Sequence, residues 1–141
     1  MRNALDFKTI KQSDRKLLIT SEKQRDLFLS SLSDALKQKQ TEIIMVNKED
    51  LKRARASKLC SAFIERLILD EKGLKQLVSK LRDIKKLNSG LGEIIEEKTN
   101  RQGLILKKVR VPLGVIAIIY EARPEVTIDV SALCIKSGNA A

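Results

Sequence analysis

The run from Val115 to Tyr120 most constrains the fold, because six apolar residues rich in β-branched side chains follow one another without a polar break. A short run of this kind, bounded by turn residues, is typical of a parallel strand buried on both faces. A polar turn follows at 121–125 with Pro124 inside it, and residues 126–136 predict a helix that Gly138 ends in a left-handed conformation. Strand, polar turn and helix open a dinucleotide-binding βαβ unit, whose ligand lies beyond the carboxyl end of the strand.

This βαβ unit lacks its second strand. A parallel strand needs a neighbour, and the sequence stops at Ala141, where the next strand is expected. No internal repeat offers another way to complete the sheet. We therefore expect an α/β fold that is incomplete in this chain.

Helices are predicted for the first ninety residues. Ser21 and Gln24 form a capping-box signature for a helix over about residues 21–39, and Gly90 with Gly92 is expected to end the last helix. Further helices are expected to begin at polar capping residues, namely Thr41, Ser61 and Asp70. The positions expected to face a core are Phe28, Leu32, Ala35 and Leu36 in the first helix, Ile43, Ile44, Leu51 and Ala54 in the second, Ile64, Leu67 and Ile68 in the third, and Leu74, Leu77, Val78, Leu81 and Ile84 in the fourth.

A β-hairpin is predicted at 93–111. Ile94-Ile95 on one side and Leu104-Ile105-Leu106 on the other flank a polar turn at 99–103. A two-stranded ribbon is only marginally stable by itself, so this hairpin is expected to seek a partner strand.

Composition leaves two classes of partner open. The chain has 28 basic and 18 acidic residues, a net charge of +10, which favours an anionic partner: nucleic acid or a small molecule. The charges alternate in sign along the helices, and one Tyr and three Phe are few for base stacking, so nucleic-acid binding is the weaker alternative. Cys60 and Cys134 lie far apart, as in a reduced intracellular protein, and no apolar run is long enough to span a membrane.

The sequence Val-Pro-Leu-Gly-Val-Ile-Ala-Ile-Ile-Tyr-Glu-Ala-Arg-Pro at 111–124 closely resembles the signature of the γ-glutamyl phosphate reductases, also called glutamate-5-semialdehyde dehydrogenases. The resemblance continues through Val126-Thr127, Asp129, Ala132-Leu133-Cys134 and Lys136-Ser137-Gly138-Asn139-Ala140. Upstream segments match more loosely, namely Asn47-Lys48-Glu49-Asp50, Glu65-Arg66-Leu67 and Gly103-Leu104.

The resemblance implies a fold and a reaction. This family belongs to the aldehyde dehydrogenase superfamily, with a Rossmann-like NADP-binding domain, leading helices at 1–90, a protruding oligomerisation hairpin at 93–111 and the first strand-turn-helix unit at 115–141. The implied reaction is NADPH-dependent reduction of L-glutamyl 5-phosphate to L-glutamate 5-semialdehyde in proline biosynthesis. A cysteine thiolate displaces phosphate, and NADPH delivers hydride to the resulting thioester. The implied setting is a cytoplasmic homo-oligomer linked to glutamate 5-kinase.

No catalytic residue is expected within this chain, because the nucleophilic cysteine of the family lies beyond position 141. Cys134 is interpreted as a small core residue, and Cys60 as a residue near a helix start with a minor chance of reactivity. The chain has no His, so no Cys-His pair can form. This chain alone is expected to be inactive.

The resemblance implies a cofactor-binding turn at Glu121, Ala122, Arg123 and Pro124, where the superfamily lines the nicotinamide pocket. Arg123 is the expected donor to a phosphate or an oxyanion. Its alternative is an ion pair with Glu121 or Glu125. Glu125 departs from the family, which usually has Asn there.

Lys136 is expected to stabilise its helix through the interaction of its positive charge with the negative end of the helix dipole. Tyr120 is expected to pack at the end of the strand. One further alternative is a truncated, non-catalytic remnant that acts as a binding module. The start at Met1 favours a single-function enzyme over a kinase fusion. The preference for NADPH over NADH rests on the resemblance, because the residues that read the 2′-phosphate lie beyond this chain.

Overall fold

The computed structural model describes residues 7–141 and is mostly helical. In chain order the elements are α1 (Phe7–Leu18), α2 (Glu22–Gln38), α3 (Gln40–Ala56), α4 (Ser61–Leu67), α5 (Glu71–Lys86), β1 (Ile94–Thr99), β2 (Ile105–Val109) and α6 (Pro124–Lys136). None of the helices within 7–141 is long and apolar enough to cross a membrane. Helix α1 lies upstream of the four helices predicted from capping residues.

The core lies between α2, α5 and α6, and α5 contributes most of it. Five apolar residues of α5 are buried, as the periodicity predicted: Leu74, Leu77, Val78, Leu81 and Ile84. Asp70 caps this helix, since its side chain accepts a hydrogen bond from the Gly73 N–H over 2.7 Å. The same cluster includes Leu29 and Leu36 of α2, Leu69 just before α5 and Ala132 of α6. Each fully buried leucine stabilises the fold by roughly 1.5–3 kcal/mol relative to its exposed state.

Helix α2 begins as predicted but presents a partly different face to the core. Ser21 and Gln24 form the capping box, with the Ser21 N–H donating to Gln24 Oε1 over 2.8 Å. The predicted face was right for Leu36, which is buried, and for Leu32, which packs against the core, but wrong for Phe28 and Ala35, which are exposed. The buried residues are Arg25, Leu29, Ser33 and Leu36. Two of these four are polar, so apolar periodicity could not reveal the whole face.

Two predicted helix caps are corrected by the structure. Thr41 does not cap α3, because Lys39 ends α2 and directly precedes α3, which leaves no room for a separate cap at position 41. Cys60 rather than Ser61 occupies the N-cap of α4. Buried Asn47 connects α3 to the loop after α4, donating to the Leu67 carbonyl and accepting from the Leu69 N–H, both over 2.9 Å.

The predicted hairpin forms. Strands β1 and β2 are antiparallel, with Thr99 opposite Ile105 and a register irregularity between Ile94 and Glu96. Gly90 and Gly92 have positive φ angles and lead from α5 into the hairpin instead of capping the helix, which ends four residues before Gly90. Every residue of both strands is exposed. The hairpin therefore projects from the core.

The apolar run at 115–120 is not the doubly buried strand that the sequence predicted. It contributes one parallel bridge, between Val115 and Ala140, in which the Ile116 N–H donates to the Ala140 carbonyl over 2.8 Å. Exposure alternates along the run as in an extended chain, and Ile119 is fully exposed. A parallel strand becomes buried only when neighbouring strands and helices cover it. Within residues 7–141 only position 140 pairs with the run.

Candidate functional site

The turn between the apolar run and α6 contains one residue with a strained backbone. Ala122 has φ +47°, the left-handed region, which costs a non-glycine residue about 1–2 kcal/mol. Arg123 is the N-cap of α6, and Pro124 occupies the first helical position, where its fixed φ suits the helix and its missing N–H costs nothing. Backbone strain of this kind concentrates at binding sites. The four residues predicted to border a cofactor thus form one continuous turn.

Arg123 has a free guanidinium at this turn. It is exposed, and within residues 7–141 it forms no ion pair with Glu121 or Glu125, so the alternative pairing is not formed. An arginine side chain has no acceptor atom, and accordingly α6 has no side-chain N-cap hydrogen bond. The positive end of the helix dipole and the Arg123 charge therefore occupy the same place, which suits an anion.

Glu125 contributes to a different part of the surface. Half-buried, it lines a cleft of about 470 Å³ between the start of α6 and α5, where Lys72 and Lys80 also line the wall. Glu65 and Asp70 line the same cleft, and Lys80 is already paired with Asp129 over 2.7 Å, so Glu125 adds a third carboxylate to a wall of mixed charge.

One side-chain hydrogen bond spans the turn. The Tyr120 hydroxyl lies 2.5 Å from the Thr127 hydroxyl, connecting the residue before the turn with the first turn of α6. Tyr120 was predicted to pack at a strand end, but its ring is half exposed and its hydroxyl is bonded. The resemblance included both residues and gave no sign of the bond.

The far end of α6 is anchored by Lys136. Its nearly buried Nζ donates to Asp26 Oδ1 over 2.6 Å, to Glu22 Oε1 over 2.9 Å and to the Lys85 carbonyl over 2.9 Å. The helix-dipole interpretation of this residue missed these partners on α2 and α5. Burial lowers the pKa of Lys136, but the hydrogen bonds that its ammonium group donates to Asp26 and Glu22 outweigh the effect of burial, so the pKa lies above its ordinary value. The Lys136 hydrogen bond, and then the Ser89 N–H, lower the pKa of Glu22.

A glycine and an asparagine connect the end of α6 to the start of the apolar run. Gly138, at φ +74°, donates its N–H to the Ile135 carbonyl over 3.0 Å, while the Asn139 N–H donates to the Cys134 carbonyl over 2.8 Å. This Schellman pattern is the left-handed C-cap predicted for Gly138. The buried Asn139 side chain accepts from the Gly114 N–H over 2.9 Å, which positions the segment entering the run.

The two cysteines are free thiols in different surroundings. Cys134 is buried, as predicted for a core residue, and burial raises the pKa of its thiol. Cys60 is exposed at the N-cap of the seven-residue helix α4. Within residues 7–141 no cluster of three or more His, Cys, Asp or Glu could hold a metal ion.

Several basic residues pair with acids three positions away, within a helix or at its N-cap. Four such pairs are spaced three residues apart: Asp34–Lys37, Lys39–Glu42, Asp50–Arg53 and Asp83–Lys86. These exposed pairs contribute little stability and mark solvated faces. The positive charge is thus divided among several helices.

Known proteins similar to this chain share one description. No family model matches. A "Gamma-glutamyl phosphate reductase" of Clostridium novyi is 42% identical over 130 residues, covering 92% of this chain and 31% of the relative. The protein of the same name from Psychromonas ingrahamii is 41% identical over 133 residues, covering 94% of this chain and 32% of the relative.

Solved structures agree with these relatives. The crystal structure of the Thermotoga maritima γ-glutamyl phosphate reductase superposes with a TM-score of 0.90 at 29% identity, covering 94% of this chain and 32% of that one. The Saccharomyces cerevisiae enzyme gives a TM-score of 0.90 at 32% identity, with 95% and 34% coverage. The chain spans about one third of the length of the relatives that it matches.

The fold and these similarities relate the chain to named reductases, which are oxidoreductases. The similarity is continuous over more than nine-tenths of its residues. The chain matches about one third of the length of the γ-glutamyl phosphate reductases, which confirms the resemblance seen at 111–124.

Proposed function

We propose that this chain supplies the leading third of an NADPH-dependent reductase that converts L-glutamyl 5-phosphate to L-glutamate 5-semialdehyde in proline biosynthesis. The observation that carries the proposal is the turn at 121–124. It places an unpaired arginine at the uncapped positive end of α6, within a chain similar to named reductases along almost its whole length. The nucleophilic cysteine belongs to the part of the enzyme outside these residues.

The turn fits one edge of a dinucleotide cofactor. NADP(H) carries phosphates and, when bound, supplies hydride to the reacting carbon. Glu121, Ala122, Arg123 and Pro124 would border it, with the small Ala122 side chain leaving room for a flat ring. Arg123 and the first turn of α6 provide fixed positive charge for a phosphate or for the oxygen that becomes negative during the reaction.

Self-association through the hairpin at 93–111 is part of the proposal. Both strands are exposed, and within residues 7–141 each pairs only with the other, so β1 and β2 each present a free edge. Apolar residues accompany those edges, namely Ile94, Ile95, Ile105, Leu106 and Val109. Leu106→Lys should weaken self-association in sedimentation velocity. Thr99→Ser is the control, and equal association of both variants would contradict the proposal.

A functional link to glutamate 5-kinase and a cytoplasmic location complete the proposal. The kinase link follows from the substrate, an acyl phosphate that a kinase must make. The unpaired Cys60 and Cys134 accord with a reducing compartment.

A non-catalytic remnant is the second candidate. It is favoured by the exposed apolar run, in which Val115 and Ile119 remain uncovered within the part of the chain that the structure describes. Such a remnant would use this surface to bind another protein. It would have no reductase activity in any context.

The test is phosphate-dependent oxidation of glutamate 5-semialdehyde with NADP⁺. The chain is assayed alone and in a chimera with the remaining two thirds of the Clostridium novyi relative. We expect turnover only in the chimera, and a chimera that folds as an oligomer yet shows no turnover would favour the remnant. Arg123→Gln should lower kcat by about 10²–10³ if Arg123 stabilises an oxyanion. Arg101→Gln in the exposed hairpin turn is the matched control.

A further inference from the structure

The turn at 121–124 has few internal restraints. Within residues 7–141, no backbone hydrogen bond involves any of residues 117–122, and the first one after them runs from the Val126 N–H to the Arg123 carbonyl, inside α6. Ala122 must nevertheless stay at a positive φ that alanine disfavours. Something other than the backbone must therefore hold the turn in this shape.

The Tyr120–Thr127 hydrogen bond meets that need. It is the one hydrogen bond among residues 7–141 that joins the chain before the turn to the helix after it. The two hydroxyl oxygens, 2.5 Å apart, close a ring that contains Ala122 and Arg123. The far end of α6 is held independently by Lys136, so the helix is a fixed base for this ring.

We propose that Tyr120 and Thr127 form a positioning clamp, which holds the strained turn so that Arg123 meets the anionic ligand in one geometry. The role of the clamp in ligand binding rests on the proposed function. The claim that the two hydroxyl groups hold the turn does not depend on that function. Both side chains act through Arg123 and touch no reacting atom. An exposed hydroxyl pair adds little to global stability, so its effect should be local.

The first experiment uses the 141-residue chain and reports the order of the turn. Tyr120→Phe and Thr127→Val remove one hydroxyl each, Thr127→Ser retains it, and Thr41→Val makes the same change at an exposed site of α3. Glutamyl endopeptidase cleavage after exposed Glu121, followed by mass spectrometry, should accelerate about threefold to tenfold in the first two variants only, as one hydrogen bond implies. Unchanged cleavage in both would overturn the clamp.

The second experiment uses the chimera and separates binding from folding. Tyr120→Phe and Thr127→Val should raise KM for NADP⁺ about threefold to tenfold with little change in Tm, and Thr127→Ser should restore it. A chimera without turnover, together with faster cleavage in the short chain, would overturn the proposed function and leave the clamp standing. Faster cleavage with an unchanged KM and kcat would show that the clamp orders the turn but does not position Arg123 for the ligand. That result would overturn the proposed role of the clamp.

Discussion

Lys136 Nζ lies 2.6 Å from Asp26 Oδ1, and this contact joins residues 110 positions apart in the sequence. The same ammonium group reaches Glu22 and a backbone carbonyl, so three acceptors surround a side chain that is only 5% exposed. A buried charge with complete partners is tolerated, whereas one that loses a partner is costly. The ion cluster therefore connects α6 to α2 more firmly than a surface pair could.

Lys136→Met should destabilise the chain by about 2–3 kcal/mol. Breaking a buried pair usually costs about 3–5 kcal/mol, and the smaller figure reflects the partial access of Asp26 and Glu22 to water. Urea unfolding followed by circular dichroism measures the change. Lys37→Met is the control, because Lys37 pairs with Asp34 on one exposed face, and it should leave the midpoint unchanged. Equal midpoints for both variants would contradict the anchoring role of Lys136.

The pH dependence of stability should reveal Glu22. Its pKa in the folded chain is held below the ordinary value of 4.5, mainly by Lys136, so the unfolded chain binds this proton more readily. The contribution is fully present above about pH 4.5 and is lost as the pH falls through the folded pKa. Glu22→Gln should therefore show a shallower loss of stability in acid than the unchanged chain. Glu49→Gln, on an exposed face of α3, should keep the original slope.

The helices show what periodicity can and cannot predict. In α5 every core position is apolar, so the pattern from Leu74 to Ile84 identified the buried face correctly. In α2 the buried face includes the polar residues Arg25 and Ser33, and Arg25 Nη1 donates to the Thr20 carbonyl just before the helix over 2.6 Å. A search for apolar periodicity does not detect a buried face that is half polar.

The apolar run shows a different limit. Its apolar composition predicted a buried strand. Such a composition is typical of a strand that lies inside a complete parallel sheet with helices on both faces. In this chain only Ala140 pairs with it, so Val115 and Ile119 stay exposed. The turn after it was located through the resemblance at 111–124. The strain at Ala122 and the hydroxyl pair spanning the turn needed three-dimensional geometry.

Gly138→Ala should destabilise the chain by about 2–5 kcal/mol. A Cβ at this position would lie 2.6 Å from Leu91 Cδ1 and 3.2 Å from Pro112 Cγ, and φ is +74°. The left-handed φ alone costs about 1–2 kcal/mol, and the overlap adds about 1–3 kcal/mol. Gly92→Ala is the matched control, because its φ is +79° with no atom within 4 Å of the new Cβ. Thermal unfolding should rank Gly138→Ala clearly below Gly92→Ala.

A double variant separates the two causes. Leu91→Ala removes the nearest side-chain atom, so Gly138→Ala should cost less in that background than in the unchanged chain. The conformational cost of the positive φ should remain in both. Additive effects of the two substitutions would show that the Leu91 side chain moves away from the new Cβ without cost. The positive φ alone would then account for the destabilisation by Gly138→Ala.

The two cysteines should differ sharply in reactivity with iodoacetamide. Cys60 is exposed, whereas Cys134 is buried and burial raises the pKa of its thiol, which lowers the fraction of reactive thiolate. Mass spectrometry of the folded chain at neutral pH should find Cys60 alkylated long before Cys134. In urea both should react at similar rates, because unfolding removes the difference in access. Rapid alkylation of Cys134 in the native chain would mean that α6 separates from α2 and α5 under native conditions, and would contradict the anchoring of this helix by Lys136.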